Sequence, residues 1–246
     1  MNNTKFVCLD CELTGLDAEK DRIIEIAVAK FSLTEVFETF ESLVDPECAI
    51  SPESMAIHHI TPDMVAGKPV MAALLPHILQ MVGNHTIVGH GVSFDIEMIA
   101  KAADRCGIPT TIRHNVFIDT LRMARLYGES PTNSLEMLRK HFNIEEEGAH
   151  RAMSDVIVNM GVFKYLFKNF RNLQHLQDAL SRPIQLKNMP LGKHKGRPMK
   201  EIPLEYLRWA SYKDFDQDLL FTIRSELKRR KAGNSFGQSA NPFAGL

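Results

Sequence analysis

Residues 6–16 read Phe6-Val7-Cys8-Leu9-Asp10-Cys11-Glu12-Leu13-Thr14-Gly15-Leu16, and this stretch decides the fold. A short apolar run, suited to a buried strand, meets two carboxylates one residue apart and then a Thr-Gly turn. Side chains at i and i+2 of a strand share a face, so Asp10 and Glu12 project side by side from the end of a core strand. Each opposes ionisation of the other unless a cation sits between them. An isolated D-x-E is most often a solvated strand end, so the pair acquires meaning only from the rest of the chain.

Working outward, Ile23 to Phe31 reads as a second strand and Val36 to Val44 as a third, joined by connections short enough for antiparallel hairpins. Ser51-Pro52-Glu53 marks a helix start. Beyond it, helices (71–82, 94–106, 120–127, 134–142, 151–170) alternate with short strands at 86–89 and 116–118. Three strands followed by alternating strands and helices predict an α/β fold, a mixed sheet with helices on both faces.

The pattern breaks at Arg182-Pro183 and Met189-Pro190. The expected organisation is a main domain over 1–180, a small basic module over 187–231 and a disordered tail over 232–246. Charge divides in the same way. Residues 187–231 carry 12 Lys/Arg against 6 Asp/Glu, whereas 1–186 carry 17 against 24. A basic appendage on an acidic body points to a polyanionic partner, against the alternative of solvated surface charge.

Composition excludes several classes. Hydrophobic content of 44% and charged content of 24% suit a soluble globule. No apolar run approaches the roughly 20 residues that span a bilayer. The N-terminal Met-Asn-Asn-Thr-Lys enters a strand without a secretory pattern, so the expectation is a cytoplasmic protein. Four cysteines make no disulfide framework, and Cys8 and Cys11 point to opposite faces of a strand, which argues against a C-x-x-C metal site.

Further carboxylates recur where strands meet helices. Asp95 follows Gly89-His90-Gly91-Val92-Ser93-Phe94, and Asp155 lies about one and a half helical turns beyond His150. Oxygen-rich sites suit hard divalent ions, and two of them about 3.5–4 Å apart serve in-line displacement at phosphorus. A neutral histidine beside the attacking water completes that inventory.

Asp10-x-Glu12 with Thr14-Gly15-Leu16, Ser93-Phe94-Asp95, and His150-x-Ala152-x-x-Asp155 together closely resemble the three motifs of the DnaQ-like DEDDh 3′–5′ exonucleases, which include exodeoxyribonuclease X and the polymerase III epsilon subunit. Ile57-His58 and Asp119-Thr120-Leu121 agree with that resemblance. It implies a ribonuclease H-like fold, two Mg²⁺ or Mn²⁺ ions on Asp10, Glu12, Asp95 and Asp155, and His150 as general base. It also implies substrate contacts at Leu13, Thr14, Leu16 and Phe94, with His58 either a contact or a packed loop residue. The family commonly carries Asn where this chain has Gly91.

The segment 191–209 is similar to the small module that follows the nuclease domain in exodeoxyribonuclease X-type proteins, with Lys193, Lys195 and Arg197 as candidate phosphate contacts and Trp209 as a stacking surface or a core residue. The function implied is hydrolysis of DNA from its 3′ end in repair or replication proofreading. RNA 3′-end trimming and a non-catalytic nucleic-acid-binding module are the alternatives. For assembly, a chain acting alone, a homodimer and a polymerase or sliding-clamp associate all stay open.

Overall fold

The computed structural model describes the backbone of residues 4–127, 130, 132–145 and 151–239, with side chains as far as residue 232. The chain divides into two compact units, 1–177 and 178–246. In the first, β1 (Phe6–Leu13), β2 (Ile23–Phe31) and β3 (Val36–Leu43) form the expected antiparallel block. Helices α1 (Pro52–His58), α2 (Pro62–Val65) and α3 (Met71–Val82) follow. Next come β4 (Thr86–Gly89), α4 (Ser93–Arg105), β5 (Phe117–Asp119) and α5 (Thr120–Tyr127). Helices α6 (Leu135–His141), α7 (Ala152–Phe167) and α8 (Leu173–Leu180) complete the run, and the division between units falls within α8.

The sheet order is β3-β2-β1-β4-β5, antiparallel on the β3 side of β1 and parallel on the β4 side. Residues on β1 sort cleanly by parity. Val7, Leu9, Cys11 and Leu13 join a core with α3 and α4, including Leu75, Ile78, Met98 and Ile99. Phe6 and Cys8 turn to the other face, where Cys8 Sγ lies 3.7 Å from the Val156 carbonyl on α7. The two cysteines therefore face apart and are both free thiols. Phe6, Phe31 and Phe163 knit β1, β2 and α7 together, with centroid separations of 5.1 to 5.8 Å. Because both faces of the sheet are covered, β2 is buried almost throughout, whereas the edge strand β3 is largely exposed and carries Glu38 and Glu41.

The second unit contains α9 (Leu204–Ala210) and α10 (Gln217–Ser239), closing a small core of Met189, Met199, Ile202, Leu207, Ala210, Leu219 and Ile223. Helix α10 passes Lys231, where the basic run ends, and continues to Ser239, with no proline to stop it before Pro242. The rest of the expected tail, 240–246, lies outside the described residues.

Phe163 is fully buried in the aromatic cluster that fixes α7 against the sheet. Phe163→Ala is expected to cost about 3–5 kcal/mol through lost burial and the cavity left behind, measured as a lowered urea midpoint at unchanged m-value.

Candidate active site

Strand period and strand length together build the site. Asp10 pairs with Ala27 and Glu12 with Glu25 on β2, and the register shifts immediately after Glu12. That irregularity ends regular pairing and turns the chain into the Thr14 loop. On its other side β1 pairs with β4 only as far as Cys8, so the Cys11 N–H extends past the parallel ladder. Asp95, in the first turn of α4, supplies the missing acceptor: its Oδ1 takes the Cys11 N–H at 3.1 Å. A carboxylate there is also favoured by the positive end of the helix.

Asp155 enters from α7. One carboxylate oxygen each from Asp10, Glu12 and Asp155 lies within 4.8 Å of the other two, and this is the one cluster of that kind among the described residues. Two segments far apart in sequence, β1 and α7, thus converge on a volume the size of a single ion. Asp95 stands beside the cluster rather than in it, near enough to raise the proton affinity of Asp10. His150 lies outside the described residues.

Electrostatics matches this geometry. Burial, and then the charges of Asp95, Asp155, Glu12 and Glu25, push Asp10 well above the usual carboxylate range. Burial, Asp155, Glu25 and Asp95 push Glu12 up to about 8, against the weaker opposing pull of Arg151. Burial carries Asp95 to about 7, restrained by the backbone N–H groups it accepts. Hard oxygen donors with mutually raised proton affinities are a donor set that a divalent cation would satisfy.

Glu25 is the residue that sequence reasoning missed. It is 3% exposed on β2 and accepts from Arg151 Nε at 2.9 Å and from the Ala152 N–H at 3.0 Å. Arg151 is the N-cap of α7 but makes no side-chain cap of its own, so Glu25 caps this helix from across the sheet. The pair fixes the start of α7 and with it the position of Asp155 one turn later. A polar residue inside the apolar run IIEIAVAKF was the available signal.

The expected substrate residues separate. Leu16 is 85% exposed, whereas Leu13 is buried in the α3–α4 core and Phe94 packs at its margin. The Thr14 hydroxyl is used within its loop, donating to Asp21 at 2.8 Å and accepting from the Arg22 N–H. His58 is buried, and its Nδ1 accepts from the Ile60 N–H at 2.9 Å. Gly91 adopts φ +75°, its N–H donates to Asp119, and a Cβ built there would meet nothing within 4 Å. Asn and Gly both tolerate that left-handed conformation, so Gly91 meets the backbone requirement of this turn.

In the second unit, Lys193 Nζ sits 5.3 Å over the Tyr206 ring, and Trp209 is 51% exposed, so it is not buried core. Arg197 contacts His194 Nδ1 at 3.3 Å, and Lys195 is exposed.

With this geometry established, comparison with known proteins assigns the family. The profile of the family described as "Exonuclease" matches residues 7–163, and the chain belongs to that family. A second profile, described as "Putative quorum-sensing-regulated virulence factor", matches residues 177–223. Among relatives, the DNA polymerase III PolC-type protein of Clostridium perfringens is 31% identical over 194 residues, covering 76% of this chain and 13% of its own length. The PolC-type protein of Oceanobacillus iheyensis is 37% identical over 151 residues, covering 61% and 10%. The chain thus spans only a tenth to a seventh of the curated relatives it matches. Among solved structures, exonuclease X in complex with 5′ overhanging duplex DNA aligns with TM-score 0.55 and 26% identity, covering 71% of this chain and 98% of that one. E. coli exonuclease I in complex with a dA16 oligonucleotide aligns with TM-score 0.62 and 25% identity, covering 73% and 43%. The ribonuclease H-like architecture expected from the motifs is therefore present.

The buried charges of this site make two outcomes testable. Arg151→Ala leaves the Glu25 carboxylate buried opposite Glu12, and is expected to destabilise the chain by about 3 kcal/mol in urea denaturation, a loss that adding Glu25→Gln substantially recovers. The second concerns pH. Glu12 is raised from 4.5 to about 8 and Asp95 from 3.8 to about 7, so the metal-free folded state holds more protons than the unfolded chain. Its stability is fully present below the ordinary carboxylate range and falls as pH climbs through about 8. In thermal melts, Tm should drop from pH 5 to pH 8 without divalent ions, and added Mn²⁺ should raise Tm more at pH 8 than at pH 6.

Proposed function

We propose that this chain is a 3′–5′ exonuclease that hydrolyses DNA from its 3′ end to nucleoside 5′-monophosphates, in repair or replication proofreading. The observation that carries this reading is the convergence of Asp10, Glu12 and Asp155 within 4.8 Å, inside a family whose named relatives include a replicative polymerase and DNA-bound exonucleases.

Asp10, Glu12 and Asp155, with Asp95 beside them, would hold two divalent ions, Mg²⁺ or Mn²⁺. When bound, these ions supply charge neutralisation at the scissile phosphate and acidify an attacking water. The chain's own residues do the rest. His150 takes the proton from the water whose oxygen forms the new bond to phosphorus, and the P–O bond to the preceding sugar's 3′ oxygen breaks, that oxygen taking a proton from solvent to become the new 3′-hydroxyl. Glu25 and Arg151 fix the turn that follows His150 and hold Asp155 in place. Leu16 and Phe94 offer apolar surface to the terminal base.

The test compares 3′-end-labelled single-stranded DNA, duplex DNA and RNA with Mg²⁺ or Mn²⁺. Asp10→Ala and Asp155→Ala are expected to lower kcat by at least about a hundredfold, since even residues that merely orient metal ligands contribute 10–100-fold. His150→Ala should cost about 10²–10⁴-fold in kcat while sparing Mn²⁺ binding. Degradation that survives Asp10→Ala would contradict the assignment, and preferential degradation of RNA would replace the substrate class.

A further inference from the structure

The second unit carries a basic groove that the nuclease reading does not use. On α9 and its C-cap, Leu204, Arg208 and Ser211 recur at i, i+4 and i+7; on α10, Arg224, Leu227, Lys228 and Lys231 recur at i, i+3, i+4 and i+7. These two faces line one groove of about 730 Å³, in which Leu204 and Leu227 are half-buried and Tyr212 is exposed. No carboxylate lines it among the described residues.

Not every cation there is available. Arg230 is structural: its guanidinium donates to Glu226 at 2.7 Å and to the carbonyls of Ile202, Met199 and Lys200 at 2.8 to 3.0 Å. Arg229 is committed to Glu226 as well. By contrast Arg208, Arg224, Lys228 and Lys231 are exposed, and none forms an ion pair with a described carboxylate. Arg224 and Lys228, four apart on one helix, repel each other, so this arrangement opposes helix stability unless an anion joins it. Tyr212 is 90% exposed, an aromatic ring presented to solvent with its polar end and both faces accessible.

We infer that this groove binds a single nucleic-acid strand, with Arg208, Arg224, Lys228 and Lys231 neutralising successive phosphates and Tyr212 stacking on a base. A groove with cations on both of its helices suits a linear polyanion, whereas a membrane surface would meet projecting apolar side chains rather than half-buried leucines. The α9 surface bearing Tyr206 and Trp209 extends the aromatic character, with Lys213 Nζ 4.9 Å over the Trp209 ring. The inference rests on the nucleic-acid reading of the chain but not on its cleavage chemistry.

The experiment measures binding of a fluorescent dT oligonucleotide to the full chain in EDTA, where hydrolysis is blocked, across a salt series. For single strands, log affinity falls with log salt at about 0.7 per phosphate contact, so replacing all four cations with Ala should lower the slope by about 2.8 and weaken binding at least about tenfold at 0.15 M salt. All four side chains are exposed, so folding should survive, and Arg208→Lys with Arg224→Lys should retain the slope. Tyr212→Ala should weaken binding about tenfold with the slope unchanged, the signature of stacking. An unchanged slope and affinity in the four-alanine chain would overturn the inference. So would retained oligonucleotide binding together with lost binding to phosphatidylserine vesicles. The outcomes separate from those of the nuclease reading: wild type that binds through the groove yet never cleaves with Mn²⁺ sinks the latter alone, and cleavage without groove-dependent binding sinks the former alone.

Discussion

The constraint on which the first unit depends is the mutual repulsion of carboxylates that its fold forces together. The period of β1 sets Asp10 and Glu12 on one face, and α7 brings Asp155 to within 4.8 Å of both. Partly buried carboxylates so close cannot all ionise without a counter-charge, and in the isolated chain they answer by holding protons. A chain can carry such an arrangement only if something else holds it rigid. Here that role falls to the sheet, whose two outer strands on each side of β1 tie the site to opposite halves of the fold.

Two fixings keep the carboxylates from relaxing apart. Asp95 is tied to the backbone of β1 through the Cys11 N–H, a donor left over because β4 is shorter than β1. Glu25 ties the opposite wall, joining β2 to the first turn of α7 by charge-assisted bonds to Arg151 and a backbone bond to Ala152. A third network at the ends of β4 and β5 closes the rear: Thr120 Oγ1 lies 2.6 Å from Asn159 Oδ1 on α7 and 3.1 Å from His90 Nδ1. Polar groups from several strands and helices are thereby used to position the carboxylates, a division of labour suited to a site that must accept charge without moving.

Much of this was legible in the sequence. The parity of β1, the antiparallel block, the helix starts near Ser93 and Arg151 and the mixed sheet all arise from local patterns that tertiary packing reinforces. Glu25 showed only as a polar residue within an apolar run; its role was not legible, because its partner lies 126 residues away. The same holds for Thr14, whose hydroxyl reads as a substrate contact in the motif but is consumed by Asp21 and Arg22. Trp209 could be read as core because small units usually bury their one tryptophan; here Leu207 and Ala210 fill that position and Trp209 takes the adjacent face. Helix α8, absent from the expected elements, does carry an apolar periodicity of its own, with Leu173, Leu176 and Leu180 at i, i+3 and i+7. The basic groove needed two helices in register, which no single segment announces.

The central claim is that the clustered carboxylates hold protons until a divalent cation replaces them. Calorimetric titration of the metal-free chain with Mn²⁺ near pH 7, repeated in buffers of different ionisation enthalpy, measures that exchange directly. The account predicts saturable binding that releases protons, with release diminishing toward pH 9, and loss of both binding and release in Asp10→Asn. Binding with no proton release at pH 7, or undiminished binding in Asp10→Asn, would contradict it.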